Sequence, residues 1–261
     1  MSVPSPLPRE SAVATFVGGF RDRVRSSAKP GQQLIDEPGV VALLGTSPHL
    51  LDGRVLVTDD RAADVLRGRL SELCARVVNV FAGAERCAAM LAAEAGYRRE
   101  PAAAMVHDRL ADIDELDLPD GLTIRTVSPT ASDGVSLEAA AVAALRSDPG
   151  AAPVAELVGF VGYLRSIPNA HYLAATDNDG EVRATAAAAV FGSTTSVYFV
   201  NTDPSWRRRG VGAAITAAAL RRAARAGAER AVLDSSALGR SIYRRLGFDV
   251  ASETTLFVGK G

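Results

Sequence analysis

The sequence predicts a mixed α/β protein built as two domains, and three observations carry that expectation. Strand-like and helix-like stretches alternate along the chain, and in the C-terminal half antiparallel hairpin signals precede a strand–helix–strand–helix order. A break at Asp117-Leu-Pro-Asp-Gly121 interrupts every pattern. Finally, 261 residues suit one large domain or two small ones, at roughly 100–200 residues each. The boundary is placed at the break, giving an N-terminal α/β domain over 1–118 and a second domain over 119–261.

In chain order, Arg9–Ser26 reads as an amphipathic helix, and Val40–Leu44 and Arg54–Thr58 as short apolar strands. A helix is expected over Ala62–Ala75, a strand over Arg76–Phe81, a helix over Ala84–Ala95 and a strand over Ala102–His107. Beyond the break, a strand at Leu122–Val127 leads to helices at Val135–Leu145 and Val154–Ser166. Strands follow at His171–Thr176, Glu181–Phe191 and Thr195–Asn201, the first two joined by the tight-turn signal Asp177-Asn-Asp-Gly180. A long helix over Arg209–Ala226, a strand at Arg230–Leu233, a helix over Leu238–Leu246 and a strand region at Phe248–Val258 complete the chain. The halves echo each other: Glu94-Ala-Gly-Tyr97 follows a strand and a helix as Arg245-Leu-Gly-Phe248 does. The match is of pattern, so an internal duplication and an unrelated small α/β domain both remain open readings of 1–118.

Composition excludes several classes. With 48% hydrophobic and 23% charged residues the chain is globular, and a formal charge of −1 argues against a basic nucleic-acid binder. All but two of the 29 basic residues, Lys29 and Lys260, are arginine, a skew that reads as codon usage. Cys74 and Cys87 cannot make a disulfide scaffold, and with the scattered His49, His107 and His171 they show no metal-site spacing. No apolar run approaches the ~18 residues of a membrane span, and no cationic leader is seen. A cytoplasmic protein without metal, membrane or nucleic-acid partner is expected.

The most informative stretch is Tyr198-Phe-Val-Asn-Thr-Asp-Pro-Ser-Trp-Arg-Arg-Arg-Gly-Val-Gly-Ala-Ala-Ile215. A strand ends near Asn201, Pro204 turns the chain, and Arg207-x-x-Gly210-x-Gly212 opens a helix. Glycine permits close backbone approach or positive φ, and a helix start presents N–H groups with no intrahelical partner. With the helix dipole and the forked charges of Arg207, Arg208 and Arg209, this is an anion site suited to phosphate. A dinucleotide fingerprint fits less well, because Ile215 stands at the third glycine and the strand-to-turn gap is long. A solvated helix start is the plain alternative for the segment taken alone.

A second motif decides between them. After the strand Arg230–Leu233 comes Ser235-Ser-Ala-Leu-Gly-Arg-Ser-Ile-Tyr243-Arg-Arg-Leu-Gly-Phe248. Together the two motifs resemble those of the GNAT superfamily of acyl-CoA-dependent N-acetyltransferases, over about 122–261. In that family an R/Q-x-x-G-x-G/A loop, here Arg207–Gly212, holds the pyrophosphate of coenzyme A. The later N-x-x-A, Tyr and L-G-F signature falls on Ser236-x-x-Gly239, Tyr243 and Leu246-Gly247-Phe248, with serine and glycine departing from the usual asparagine and alanine. The resemblance implies a mixed-sheet GNAT (acyl-CoA N-acyltransferase) fold with an additional N-terminal α/β domain. It implies acetyl-CoA as co-substrate, contacted by Phe199, Val200, Asn201, Arg207, Arg208, Arg209, Gly210, Val211, Gly212, Ala213 and Ser236.

The same resemblance implies direct attack of an amine, from a small molecule or a protein, on the thioester in a ternary complex. Tyr243 is then the acid that protonates the departing thiolate. Main-chain groups of Phe199, Val200 and Asn201 would pair with pantetheine and face the thioester carbonyl. No carboxylate stands at Thr195-Ser-Val197, so the base is open between Asp203, Asp234, Glu156 and ordered water. Residues 1–118 lack the arginine–glycine loop, have Asp59-Asp-Arg61 before their helix, and carry Ala92 where Tyr243 would align. The competing expectation is a regulatory protein that binds acyl-CoA without transferring the acyl group.

Overall fold

Short buried strands and alanine-rich helices make up the molecule, whose computed structural model describes residues 7–44, 53–69, 77–94, 96–128, 135–147 and 157–259. Helix α1 (Arg9–Ser27) is followed by strands β1 (Gln33–Glu37), β2 (Val40–Leu44) and β3 (Arg54–Val57). Helix α2 (Ala63–Arg67), strand β4 (Val77–Phe81), helix α3 (Glu85–Ala93) and strand β5 (Arg98–His107) come next. Strands β6 (Thr123–Ser128) and β7 (Val135–Ser136) precede helices α4 (Leu137–Ser147) and α5 (Leu157–Arg165). Then follow β8 (Ala170–Thr176), β9 (Val182–Phe191), β10 (Thr194–Thr202), α6 (Val211–Arg225), β11 (Arg230–Ser236), α7 (Arg240–Arg245) and β12 (Asp249–Val258).

The expected elements are found, with differences that have local reasons. Strand β1 is an addition to the expected elements: Gln-Leu-Ile-Asp-Glu buries only Ile35 and so shows no apolar stripe. Where a helix was expected from Val135, the chain first makes the two-residue strand β7, paired in parallel with β6 at Val127 and Ser128. The far end of the helix expected over Ala62–Ala75, the start of that over Val154–Ser166, and Cys74, His49 and Glu156 lie outside the described residues. Cys87 is fully buried, and burial pushes its thiol up to about 12, so it acts as a small apolar side chain.

Contacts divide the chain into two units. The first comprises 1–106, 234–240 and 249–261, and the second 107–233 and 241–248. This grouping differs from a single cut near residue 118, because β12 pairs antiparallel with β5 along its length and with β4 over Thr254–Val258.

In the first unit the strand order is β1-β2-β3-β4-β12-β5, with β3 and β4 parallel and the other neighbours antiparallel. Every residue of β2 and β4 is buried, as expected for strands covered on both faces. One face packs Val55, Val57, Val78 and Val80 against Ala63, Leu66, Cys87 and Leu91 of α2 and α3. On α1, Phe16 meets Phe81 at 5.6 Å between ring centroids.

In the second unit the order is β11-β10-β9-β8-β6-β7, with β10–β11 and β6–β7 parallel. Tyr172, Ala174 and Ala187 turn one face toward Leu137, Ala140, Ala141, Val161 and Leu164 of α4 and α5. Helix α6 packs against β8, β9 and β10 on the other face. The alanines of β9 keep that strand thin, which lets helices close on both sides. Each half thus runs through a three-strand antiparallel meander, a helix, a parallel strand, a helix and a last strand. In the second half these are β8-β9-β10-α6-β11-α7-β12, and in the first β1-β2-β3-α2-β4-α3-β5. The corresponding last strands, β5 and β12, pair antiparallel with each other. No described helix is long and apolar enough to cross a membrane.

Candidate active site

Strand β10 changes character midway. Thr194–Val197 are buried, while Tyr198–Thr202 are half-buried. Its ladder to β11 joins Thr194, Thr195 and Ser196 to Arg230, Ala231 and Val232 and stops there. Its ladder to β9 slips between Tyr198↔Ala187 and Asn201↔Thr185, so β10 spends one extra residue. Such a bulge sharpens twist and re-aims the strand. Phe199 takes φ 59°, costly for a side chain with a Cβ, and its carbonyl accepts a 2.8 Å bond from the Thr185 hydroxyl. Backbone that has left one ladder and slipped in the other is poised to pair with something other than sheet.

The loop beyond is tightly tied. Asp203 accepts from the N–H and hydroxyl of Ser205 at 2.8 and 2.5 Å, capping a single 3₁₀ turn at Pro204–Trp206. The same carboxylate lies 3.3 Å from Arg183. Arg207 donates from Nε to the Thr202 carbonyl at 3.1 Å and from Nη2 to the Ser147 carbonyl. Arg208 has φ 61° and Gly210 φ 86°, so the backbone reverses hand twice just before α6 begins. Arg209 lies over the Trp206 ring, 5.1 Å from its centroid.

The two glycines serve different needs. At Gly210 a Cβ would meet nothing within 4 Å, so the site has room, but the positive φ favours glycine. At Gly212 a Cβ would lie 3.2 Å from Thr202 Oγ1 and 3.4 Å from Ile242 Cδ1, so close packing sets the residue. Val211, Gly212 and Ala213 are the first residues of α6, whose N–H groups have no partner within the helix. With Arg208 and Arg209 exposed beside them, this end of the helix presents backbone donors next to positive charge.

Helix α7 brings Tyr243 alongside. Its neighbour Ile242 abuts Gly212, while Tyr243 packs edge-on against Phe248 at 5.9 Å and accepts that residue's N–H on its carbonyl. Tyr243 is buried, and burial pushes its phenol up to about 12. It is therefore protonated throughout the neutral range.

Against this geometry, residues 168–250 match the model of the acetyltransferase (GNAT) domain. Over this segment the chain is similar to a GNAT acetyltransferase domain. Solved structures similar to the whole chain include a GCN5-related N-acetyltransferase from Kribbella flavida, at 21% identity, 96% of each chain and TM-score 0.63. Another, from Sphaerobacter thermophilus, is 16% identical over 100% of this chain and 98% of its own, at TM-score 0.57. A tandem GNAT protein from the clavulanic acid biosynthesis pathway is 16% identical over 98% of each chain, at TM-score 0.53. At these identities the likeness is one of fold, and it extends the GNAT architecture over both halves. No curated protein matches the chain.

Within the matched segment, Phe199, Val200 and Asn201 fall on the bulge, and Arg207–Ala213 form the loop and first turn of α6. Arg207, expected at the phosphates, donates from two of its nitrogens to carbonyls and so also braces the loop. Ser236 belongs to the first unit, where its Oγ accepts from the Gly239 N–H at 3.3 Å. Of the candidate bases, Asp203 is held below the usual carboxylate range, chiefly by the Ser205 hydroxyl and further by Arg183. Asp234, also of the first unit, accepts from the Asn79 amide, and burial raises its carboxyl against the pull of Arg54 and Arg23. Among the described residues no group of three His, Cys, Asp or Glu side chains could hold a metal ion.

Sequence reasoning missed Thr185 and Ser147. One signal existed for the first, a lone threonine inside the alanine run of β9, whereas a helix-end serine with a useful carbonyl carries none. In the first half, Asp60 accepts from the N–H groups of Arg86 and Cys87 at 3.2 and 2.9 Å. A carboxylate from the chain itself thus satisfies the start of α3.

Proposed function

We propose that the chain transfers an acetyl group from acetyl-CoA to a primary amine by direct attack in a ternary complex. The observation that carries this reading is the opened end of β10, where the β11 ladder stops at Ser196 and the bulge at Phe199 follows. Acetyl-CoA would supply the activated acyl thioester. Backbone N–H groups of Val211, Gly212 and Ala213, with the charges of Arg208 and Arg209, would hold its pyrophosphate. Main-chain groups of Phe199, Val200 and Asn201 would pair with the pantetheine arm. A backbone N–H there, aimed at the thioester oxygen, would stabilise the charge that develops when the amine nitrogen attacks.

As the new C–N bond forms, the C–S bond breaks and the sulfur needs a proton, which Tyr243 would donate. A phenol at about 12 is a weak acid toward a thiolate near ~8.5, an uphill transfer of about 5 kcal/mol if taken alone. The transfer is therefore coupled to C–S cleavage, and the tyrosinate regains its proton from the acylated nitrogen, which must shed one. The net result is an amide and a free thiol. Asp203 is a poor base by its low affinity for protons, so ordered water is the favoured route for the first deprotonation of the ammonium.

Incubation with acetyl-CoA and pools of primary amines, with free thiol followed over time, tests this. Amine-dependent thiol release supports transfer. Calorimetric binding of acetyl-CoA without release from any pool would establish the competing reading, a regulatory acyl-CoA-binding protein.

A further inference from the structure

We infer that the amine acceptor is a monoamine carried on an aromatic body, held against an aromatic wall beside the β10 bulge; this rests on the acetyltransferase reading above. The wall lies on the α4–α5 face of the second unit. Phe199, at the bulge, has its ring 5.8 Å from Phe160 of α5 and 6.1 Å from Tyr172 of β8. Tyr172 in turn meets Tyr198 edge-on at 6.0 Å. The Tyr198 hydroxyl donates to that of Tyr172 at 3.0 Å, and Tyr172 donates to the Leu164 carbonyl at 2.6 Å, so hydrogen bonds fix these two rings. Tyr172 is core, whereas Phe160, Tyr163, Tyr198 and Phe199 are half-buried.

Charge narrows the acceptor further. The elements that build this face, α4, α5, β8, β9 and β10, contribute one carboxylate, Glu138, and three arginines, Arg146, Arg165 and Arg183. Glu138 is already paired with Arg165. A polyamine or aminoglycoside brings several positive charges and needs carboxylates to receive them, which these elements do not offer. A single amine on a flat apolar body loses little here, because edge-to-face and offset ring contacts at about 4.5–7 Å are favourable. The apolar surroundings also penalise the ammonium form, pushing the amine toward the neutral state that attacks. Recognition and activation then share one surface.

The test uses the full-length protein, acetyl-CoA and three acceptors: phenethylamine, spermidine and kanamycin. A kcat/KM for phenethylamine at least roughly tenfold above both others is expected, as one added ring contact contributes about that much. Phe160→Leu keeps bulk and removes a ring, and should lower the preference for phenethylamine over spermidine severalfold. Equal or inverted preference in the wild type overturns the inference and leaves transfer standing, as does a Phe160→Leu ratio equal to wild type. Thiol release with none of the three nor with any other amine overturns transfer and the inference together.

Discussion

The Thr185 hydroxyl donates a 2.8 Å hydrogen bond to the carbonyl of Phe199, the residue whose positive φ makes the β10 bulge. Thr185 is buried, and its backbone pairs with Asn201, so one residue of β9 anchors both sides of the bulge. The opened strand end is thereby a fixed feature of the fold. Thr185→Val keeps the shape and removes the donor. It should cost about 1–3 kcal/mol of stability, the penalty for an unmade bond at a desolvated carbonyl, and raise the KM for acetyl-CoA. Thr185→Ser should restore both. Urea unfolding and steady-state kinetics on the pair check this.

Gly210 and Gly212 should fail differently. Gly210→Val forces a β-branched residue into the left-handed region, at about 1–2 kcal/mol, and fills the open space at the helix start. Acetyl-CoA affinity should fall strongly with only a modest loss of thermal stability. Gly212→Ala meets Thr202 and Ile242 instead, so it should displace α7 and lower turnover with a smaller effect on affinity. Calorimetry against acetyl-CoA and single-turnover rates separate the two.

Tyr243→Phe keeps the ring packed on Phe248 and removes the proton. Turnover should fall by about 10²-fold, the low end of general acid–base effects, because a phenol near 12 is a reluctant donor. Acetyl-CoA affinity should barely change. Since product release can mask chemistry, single-turnover rates are the deciding measurement. Wild-type rates in both assays would reduce Tyr243 to a packing residue.

Arg207→Lys retains the charge but not the fork that reaches the Thr202 and Ser147 carbonyls together. If the side chain is a strut, affinity for acetyl-CoA should fall about tenfold even though charge is conserved, and extra salt should weaken wild type and variant alike. A binding series across ionic strength reads this directly.

Acid should loosen the loop. Asp177 and Asp203, both bonded to Arg183, have carboxyls held below their ordinary range, Asp177 chiefly by Arg183 and Asp203 chiefly by Ser205. Groups with depressed folded-state values stabilise above the ordinary carboxylate range and lose that contribution as pH falls through the folded value. The melting temperature should therefore drop more steeply on acidification below about pH 4 in wild type than in Arg183→Met. Parallel acid limbs would show that the pairs contribute nothing.

Much of this protein was legible in the chain itself. Apolar periodicity, the Asp-Asn-Asp-Gly turn and the Arg-x-x-Gly-x-Gly helix start are patterns of near neighbours, and near neighbours set backbone preference directly. The order of strands and helices, the loop at Arg207–Gly212 and the helix bearing Tyr243 follow from them. Other features required partners far away in sequence. That the guanidinium of Arg207 also reaches the carbonyl of Ser147, 60 residues upstream, is invisible in the loop's own sequence. Asp203 looks like a free base until Ser205 and Arg183 close on it. The last strand reads as the end of its own half, yet hydrogen-bonds to β4 and β5. A hydrogen bond is satisfied by whichever group the folded chain brings within 3 Å or so, and that choice is made by packing and register, which local sequence does not carry.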